Sequence, residues 1–436
     1  MSLSTPLKLK RLQRTLYSKA KREPGTRFHF LYDKLCRMDV LEHAYACNRR
    51  NGGAPGVDGQ TFEQIEAQGV DRWLAELQEE LRTATYEPSA VRRVMIPKPN
   101  GSGERPLGIP TIRDRVVQMA AKLVMEPIFE ANFDEAAYGY RPKRSAEQAI
   151  RRVHKALWDN HSHVIDADLS RYFDTIPHAP LMKSVARRVS DAKMLHLVKM
   201  WLKAPVEEVD AVGRRHLSGG RKTKCGTPQG GVLSPLLANL YMHRFIQAFR
   251  KYGLDKRYGA VLVVYADDFV VLCKRNASDA LEEIRRLLCK IGLTLNETKT
   301  SVKMAREDAF DFLGHTFRML RSYKTGVAYP GVVPSKKAVM RLKDTVRRWL
   351  SPSDLLPLAQ VVASLNRVLR GWANYFRYGS VLAVRAKLDR FVYTRVRRFL
   401  VRRCKVRTAG TRRYPWQYVF GELGVLSLPA LPRSSA

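Results

Sequence analysis

Val261-Leu-Val-Val-Tyr-Ala-Asp-Asp-Phe-Val-Val-Leu-Cys273 holds two short apolar runs, Val261–Tyr265 and Phe269–Leu272, joined by Ala266-Asp267-Asp268. Short β-branched and aromatic runs on either side of a turn predict a β-hairpin. An Asp-Asp pair at a turn is, alone, ordinary turn chemistry. The flanks change its meaning. Each run is continuously apolar rather than alternating, so both strands are expected to be buried on both faces. Two adjacent carboxylates at the tip of such a hairpin concentrate negative charge. A bound divalent cation is the natural way to neutralise it.

A second acidic spot lies 99 residues before Asp267, in His163-Val-Ile-Asp-Ala-Asp-Leu169, which reads as a strand with Asp168 near its end. Phe173 and Asp174 follow. Two strands that each present a carboxylate can hold two Mg²⁺ ions about 4 Å apart, which activates a hydroxyl and stabilises a leaving pyrophosphate.

The rest of the chain suits a polyanion. Its 436 residues carry 77 Lys+Arg against 41 Asp+Glu, a net charge of +36. A surface this basic attracts nucleic acid. From Pro334 to Ala436 there are 22 Lys/Arg and 4 Asp/Glu, a net of +18 in about a quarter of the chain. Aromatic residues interleave there, among them Trp349, Trp372, Tyr375, Phe376 and Phe399. That pattern describes a helical bundle whose aromatics pack and whose basic face meets phosphate. Residues 1–22 hold seven basic residues and no acid, which suits a basic helical arm better than a transit peptide, because apolar periodicity runs on from Leu9, Leu12 and Leu16. No apolar stretch approaches the 18 residues of a membrane span. The six Cys are scattered without a C-x-x-C pair, which disfavours a disulfide framework or a zinc module and fits a reducing compartment. Phosphate-loop and His-Glu-x-x-His motifs are absent.

Helices are expected over 62–83, over 113–130, from the capping box Ser145–Gln148 to Trp158, from about His178, from Ser234 as N-cap with Pro235 to about Phe249, and after Ser278. Val91–Ile96 reads as a strand stopped at Pro97. After Pro334 the pattern is all helical, broken at Ser351-Pro352-Ser353. An α+β body followed by an α-helical module is the fold class.

Eight segments, in order, carry a resemblance to group II intron reverse transcriptases over nearly the whole chain. They are Gly56–Gly59, Ile96-Pro-Lys-Pro99 with Arg105–Pro110, Tyr138-Gly-Tyr-Arg-Pro142, Asp168–Asp174, Gly226–Pro235, Tyr265-Ala-Asp-Asp268, Gly292–Lys299 and Phe312–Gly314. The resemblance implies a right-hand polymerase, fingers and palm, with an α-helical thumb or maturase domain. It divides the chain into an N-terminal extension and first fingers segment (1–95), fingers and palm (96–325), thumb/maturase (326–400) and a short basic nucleic-acid-binding segment (401–436).

It also implies roles. Asp168, Asp267 and Asp268 become catalytic metal-binding carboxylates for two Mg²⁺, with Mn²⁺ as a substitute, and Asp268 is the least defined ligand. Phe173 becomes the ring beneath the nucleotide sugar that clashes with a 2′-hydroxyl; a plain core Phe is the alternative. Lys98, Arg105, Gln229 and Lys299 become dNTP contacts, Lys299 as a proton donor to pyrophosphate. Exposed hairpin charges are the alternative for Lys98 and Arg105, and an exposed Lys after a helix is the alternative for Lys299. Arg141 becomes a template contact; Arg395, Arg398, Arg402 and Arg403 become RNA contacts.

Leu365–Phe376 and Thr411–Pro415 carry the match to the maturase module. No Cys pair or His follows Trp416, which resembles the compact bacterial class without an endonuclease domain. Expected partners are group II intron RNA, an RNA template–DNA primer duplex, a DNA target and dNTPs, with no membrane. Expected activities are RNA-directed DNA synthesis, splicing assistance and retrohoming, in a bacterial cytoplasm near the nucleoid rather than an organelle. Two alternatives stand beside this: an RNA-binding splicing cofactor with incidental polymerase activity, and a domesticated enzyme of phage defence, CRISPR or DNA repair.

Overall fold

In the computed structural model, which describes residues 4–97, 103–210, 212–351 and 356–434, the apolar runs flanking Asp267 pair antiparallel with Tyr265 opposite Asp268. The strands, in chain order, are β1 (Val91–Pro97), β2 (Glu104–Ile109), β3 (His163–Asp168), β4 (Pro205–Val209), β5 (Arg215–Gly219), β6 (Val261–Tyr265), β7 (Asp268–Cys273), β8 (Ser301–Met304), β9 (Phe310–Phe312), β10 (His315–Arg321) and β11 (Ala328–Pro334). They form three sheets, ordered β2-β1-β4-β5, β6-β7-β3-β8 and β11-β10-β9.

The central sheet explains the continuous apolarity of its hairpin. Ile165, Ala167, Leu262, Val264, Phe269 and Val271 face one core, shared with helix Ser234–Lys251. Val164, Val263, Val270 and Leu272 face a second core, shared with helix Ala146–Trp158 and β9–β11. Alternate residues therefore bury on opposite sides, which leaves no position for a polar side chain. Phe245 packs on Phe269 with ring centroids 5.3 Å apart, fixing the helix beneath the hairpin.

The third body is helical. Lys336–Trp349, Leu358–Tyr375 and Leu382–Arg403 enclose a separate core that includes Leu342, Leu369, Val392 and Phe399. No helix among the described residues is long and apolar enough to cross a membrane.

Several expectations shift. The helix expected over 62–83 is two, Phe62–Gln68 and Val70–Arg82, because Gly69 at φ 96° leaves the helical region. Ser234 is the first helical residue rather than the cap, and its hydroxyl donates to Pro228 O at 2.8 Å. Ser278 is also not the cap: helix Ala277–Lys290 starts from Asn276 in the left-handed region. Residues 404–434 are mostly irregular, not helical. Nor do they form a separate basic segment: Tyr414, Val419, Val425 and Leu428 are buried in the same core as the three helices. The expected division at 400/401 falls inside helix Leu382–Arg403, and that at 325/326 between β10 and β11. The basic N-terminal stretch is helix Leu7–Arg22, whose Leu9, Leu16 and Ala20 are buried.

Candidate active site

Asp168 closes β3 and Asp268 opens β7, and the antiparallel register sets them directly opposite each other. Such partners sit with Cβ atoms about 5 Å apart. Asp267 occupies the two-residue turn behind Ala266, whose φ of 60° lies in the left-handed region. The turn is held from outside. A Cβ on Gly139 would lie 2.5 Å from Ala266 N, so only glycine permits the approach. Asn239 Nδ2, buried on helix Ser234–Lys251, donates to Gly139 O at 2.7 Å. Tyr138 N donates to Val264 O, and Val264 N to Ala136 O.

The electrostatics follow from crowding. Burial, then Asp267 and Asp168, push the Asp268 carboxyl up to about 7. Burial raises Asp267 too, with Asp168 adding to the shift. One ammonium answers this charge: Lys299 Nζ lies 2.6 Å from Asp168 Oδ2. That hydrogen bond raises the Lys299 pKa and keeps it charged. Asn296 Nδ2 adds a contact to the same oxygen at 3.4 Å.

Among the described residues, no three Asp, Glu, His or Cys groups converge into a metal-ligand set. The three carboxylates are neighbours rather than a closed cage, and Lys299 holds Asp168. The donor chemistry still fits a hard cation: carboxylate oxygens only, crowded together so that a bound cation would relieve their mutual repulsion.

Phe173 follows in the short helix Tyr172–Thr175 and is half-buried. Its carbonyl accepts from Thr227 N at 2.7 Å, tying it to the Gly226–Gln229 loop. Gln229 Nε2 donates to Asp174 Oδ1 at 3.0 Å. A Cβ on Gly230 would lie 2.1 Å from Gly108 O, so glycine lets this loop dock on β2. Between loop and sheet lies a cavity of about 360 Å³ lined by Gln229, Asp174, Gly108 and Arg93. None of the three carboxylates lines it. Arg105 is exposed on β2 and, among the described residues, has no carboxylate partner. Lys98 lies outside the described residues.

Arg141 departs from expectation. Its guanidinium is buried, pairs with Glu130 at 2.7 Å and donates to Asp134 O and Ala137 O. It braces the loop before Tyr140 instead of facing a template. Arg398, Arg402 and Arg403 are exposed, whereas Arg395 is half-buried and its Nε has no partner among the described residues.

Sequence reading missed Tyr140, Asn239 and Arg385. A model of the family "Reverse transcriptase (RNA-dependent DNA polymerase)" matches residues 96–317. One of the "Group II intron, maturase-specific domain" matches 339–418. Protein YkfC of Escherichia coli is 36% identical over 369 residues, covering 75% of this chain and 93% of that protein. The group II intron-encoded protein LtrA of Lactococcus lactis is 34% identical over 443 residues, covering 81% of this chain and 71% of that protein. An uncharacterized 91 kDa protein in the cob intron of Schizosaccharomyces pombe is 26% identical, covering 86% and 53%.

Proposed function

The chain belongs to the group II intron-encoded reverse transcriptases, RNA-directed DNA polymerases with a maturase domain, and from that premise we propose how its residues divide the work. Asp168 and Asp267 would hold two Mg²⁺ ions, with Asp268 as the third carboxylate of the cluster. The observation that carries this is the register that sets Asp168 against Asp268 with Asp267 at the adjoining turn. When bound, the ions supply Lewis acidity at the primer 3′-hydroxyl and charge neutralisation at the pyrophosphate.

The chain's own residues do the rest. Lys299 releases Asp168 and donates a proton to the leaving pyrophosphate. Arg105, free of acidic partners among the described residues, takes the triphosphate in bidentate fashion. Lys98 supplies a second, point-like charge. Gln229 and its neighbouring glycines line the nucleotide side, and the Phe173 ring lies beneath the sugar. Arg398, Arg402 and Arg403 grip primer–template and intron RNA by their phosphates. The same chain thereby assists splicing and copies intron RNA into DNA at a target site during retrohoming.

Splicing assistance requires RNA grip but no catalytic carboxylate, because the ribozyme performs its own chemistry. The double change Asp267→Ala, Asp268→Ala is expected to abolish primer extension and leave splicing of the cognate intron at low Mg²⁺ largely intact. Equal loss of both activities in a folded variant would refute this division.

A further inference from the structure

Tyr140 is an exposed aromatic residue in a conformation aromatic residues avoid. Its φ is 55°, the left-handed region, and the residue is 50% exposed. Strain of this kind persists only where the surroundings impose it, and it clusters at functional sites. Here the surroundings do impose it. On one side Gly139 is pressed against the Ala266 backbone and tied to Asn239. On the other, Arg141 is anchored inward on Glu130, Asp134 O and Ala137 O. No burial of Tyr140 itself accounts for the strain, since half of the residue faces solvent.

The restraint aims the ring at Phe173. Their centroids lie 6.4 Å apart at 75°, edge to face. On its other contact, Phe173 meets Tyr172 at 5.7 Å and 68°. Tyr172 is fully buried and its hydroxyl donates to Ala238 O at 2.6 Å, so it is fixed to the helix beneath the sheet. Phe173 is thus braced by two tyrosines, one anchored in the core and one held out by a strained loop. Tyr140 directly follows Gly139, which is pressed against the backbone of Ala266, the residue before Asp267. Its hydroxyl has no hydrogen-bond partner among the described residues, so the ring is the part the structure uses.

We propose that Tyr140 is a positioning residue for ribose discrimination: its ring braces Phe173, so exclusion of a 2′-hydroxyl depends on the pair rather than on Phe173 alone. A sugar gate works only if it cannot yield. A half-buried Phe with one fixed neighbour could rotate away from a ribose, and the second ring closes that escape. This inference rests on the reading of Phe173 as the ring beneath the sugar, and the test separates the two.

The full-length protein extends a DNA primer on an RNA template by one nucleotide with dTTP or UTP, and the ratio of the two kcat/KM values is measured. Phe173→Ala tests the underlying reading and should lower the ratio. Tyr140→Asn removes the ring while keeping a residue that tolerates the left-handed region. It should lower the ratio several-fold to about tenfold, the size of one aromatic edge contact. The gain should lie in UTP use. Tyr140→Phe should restore the parental ratio, and Tyr140→Asn should add nothing in the Phe173→Ala background. An unchanged ratio in Tyr140→Asn, with Phe173→Ala altered, overturns the role of Tyr140 and leaves that of Phe173 standing. Equal loss of dTTP and UTP use in Tyr140→Asn likewise overturns it. An unchanged ratio in Phe173→Ala overturns the gate and this inference with it. Should Tyr140→Asn lower the unfolding temperature or primer–template binding, Tyr140→Phe against Tyr140→Leu makes the same comparison at preserved bulk.

Discussion

Arg385 is completely buried on helix Leu382–Arg403 and, among the described residues, has no carboxylate partner. Its guanidinium instead donates to five backbone carbonyls: Ala373 and Phe376 at the end of the preceding helix, and Leu428, Leu431 and Pro432 in the returning chain. Arg385→Met removes the charge and keeps the bulk. For a side-chain ion pair, replacing both partners by apolar groups is often neutral, because both polar partners leave together. Here the acceptors are backbone and stay. Leu428 O retains another donor, Leu431 N, at 3.2 Å. The other four have none among the described residues. Orphaning a buried carbonyl costs about 1–3 kcal/mol, so the two buried ones, Ala373 O and Phe376 O, come to about 4 kcal/mol, while those of half-buried Leu431 and exposed Pro432 lie nearer to water. Relief from burying a cation offsets part of this, leaving about 3 kcal/mol. For a helical module of this size that lowers its unfolding midpoint by about 10–20 °C. Calorimetry with limited proteolysis of residues 404–434 checks it: the returning chain should become cleavable first. A midpoint within about 2 °C of the parent, with the same cleavage pattern, would refute the argument that one guanidinium closes this core.

Further outcomes follow from the same geometry. Asp267→Asn should cut DNA synthesis by several orders of magnitude, as expected for loss of a catalytic metal ligand, and near-normal primer extension would exclude that role. His315 is fully buried where β10 meets Tyr375 and Phe376, with ring centroids 5.8 and 4.8 Å away, and burial lowers its pKa to about 4 from 6.5. The unfolded chain therefore takes up a proton that the folded one refuses. Stability should fall by up to about 3 kcal/mol as pH drops from 6.5 towards 4, and denaturant titrations of His315→Phe should show this slope flattened. Replacing Arg398, Arg402 and Arg403 by Gln should weaken RNA binding and reduce its salt slope by slightly less than one unit per lost phosphate contact; an unchanged slope would place the RNA elsewhere.

What could be read from the amino-acid order alone was whatever rests on local pattern. Continuous apolar runs around Ala266-Asp267-Asp268 specify a hairpin buried on both faces, since no polar residue interrupts either side. Ser145 and Gln148 announce a helix because a capping box closes within four residues. The basic excess after Pro334 needs only counting. Where reading failed, the deciding partner was far away in the chain or the decision was a direction. Gly69 divides a helix by its φ alone, and apolar spacing on either side does not register that. A guanidinium in Tyr138–Pro142 reads as a surface charge until Glu130 and two carbonyls draw it inward. Residues 404–434 read as a basic tail, yet Arg385 binds their carbonyls from 43 to 47 positions away. The bracing of Phe173 by Tyr140 is of this kind too. It depends on Gly139 meeting Ala266 across 127 positions, and only the closed tertiary structure brings those two backbones into contact.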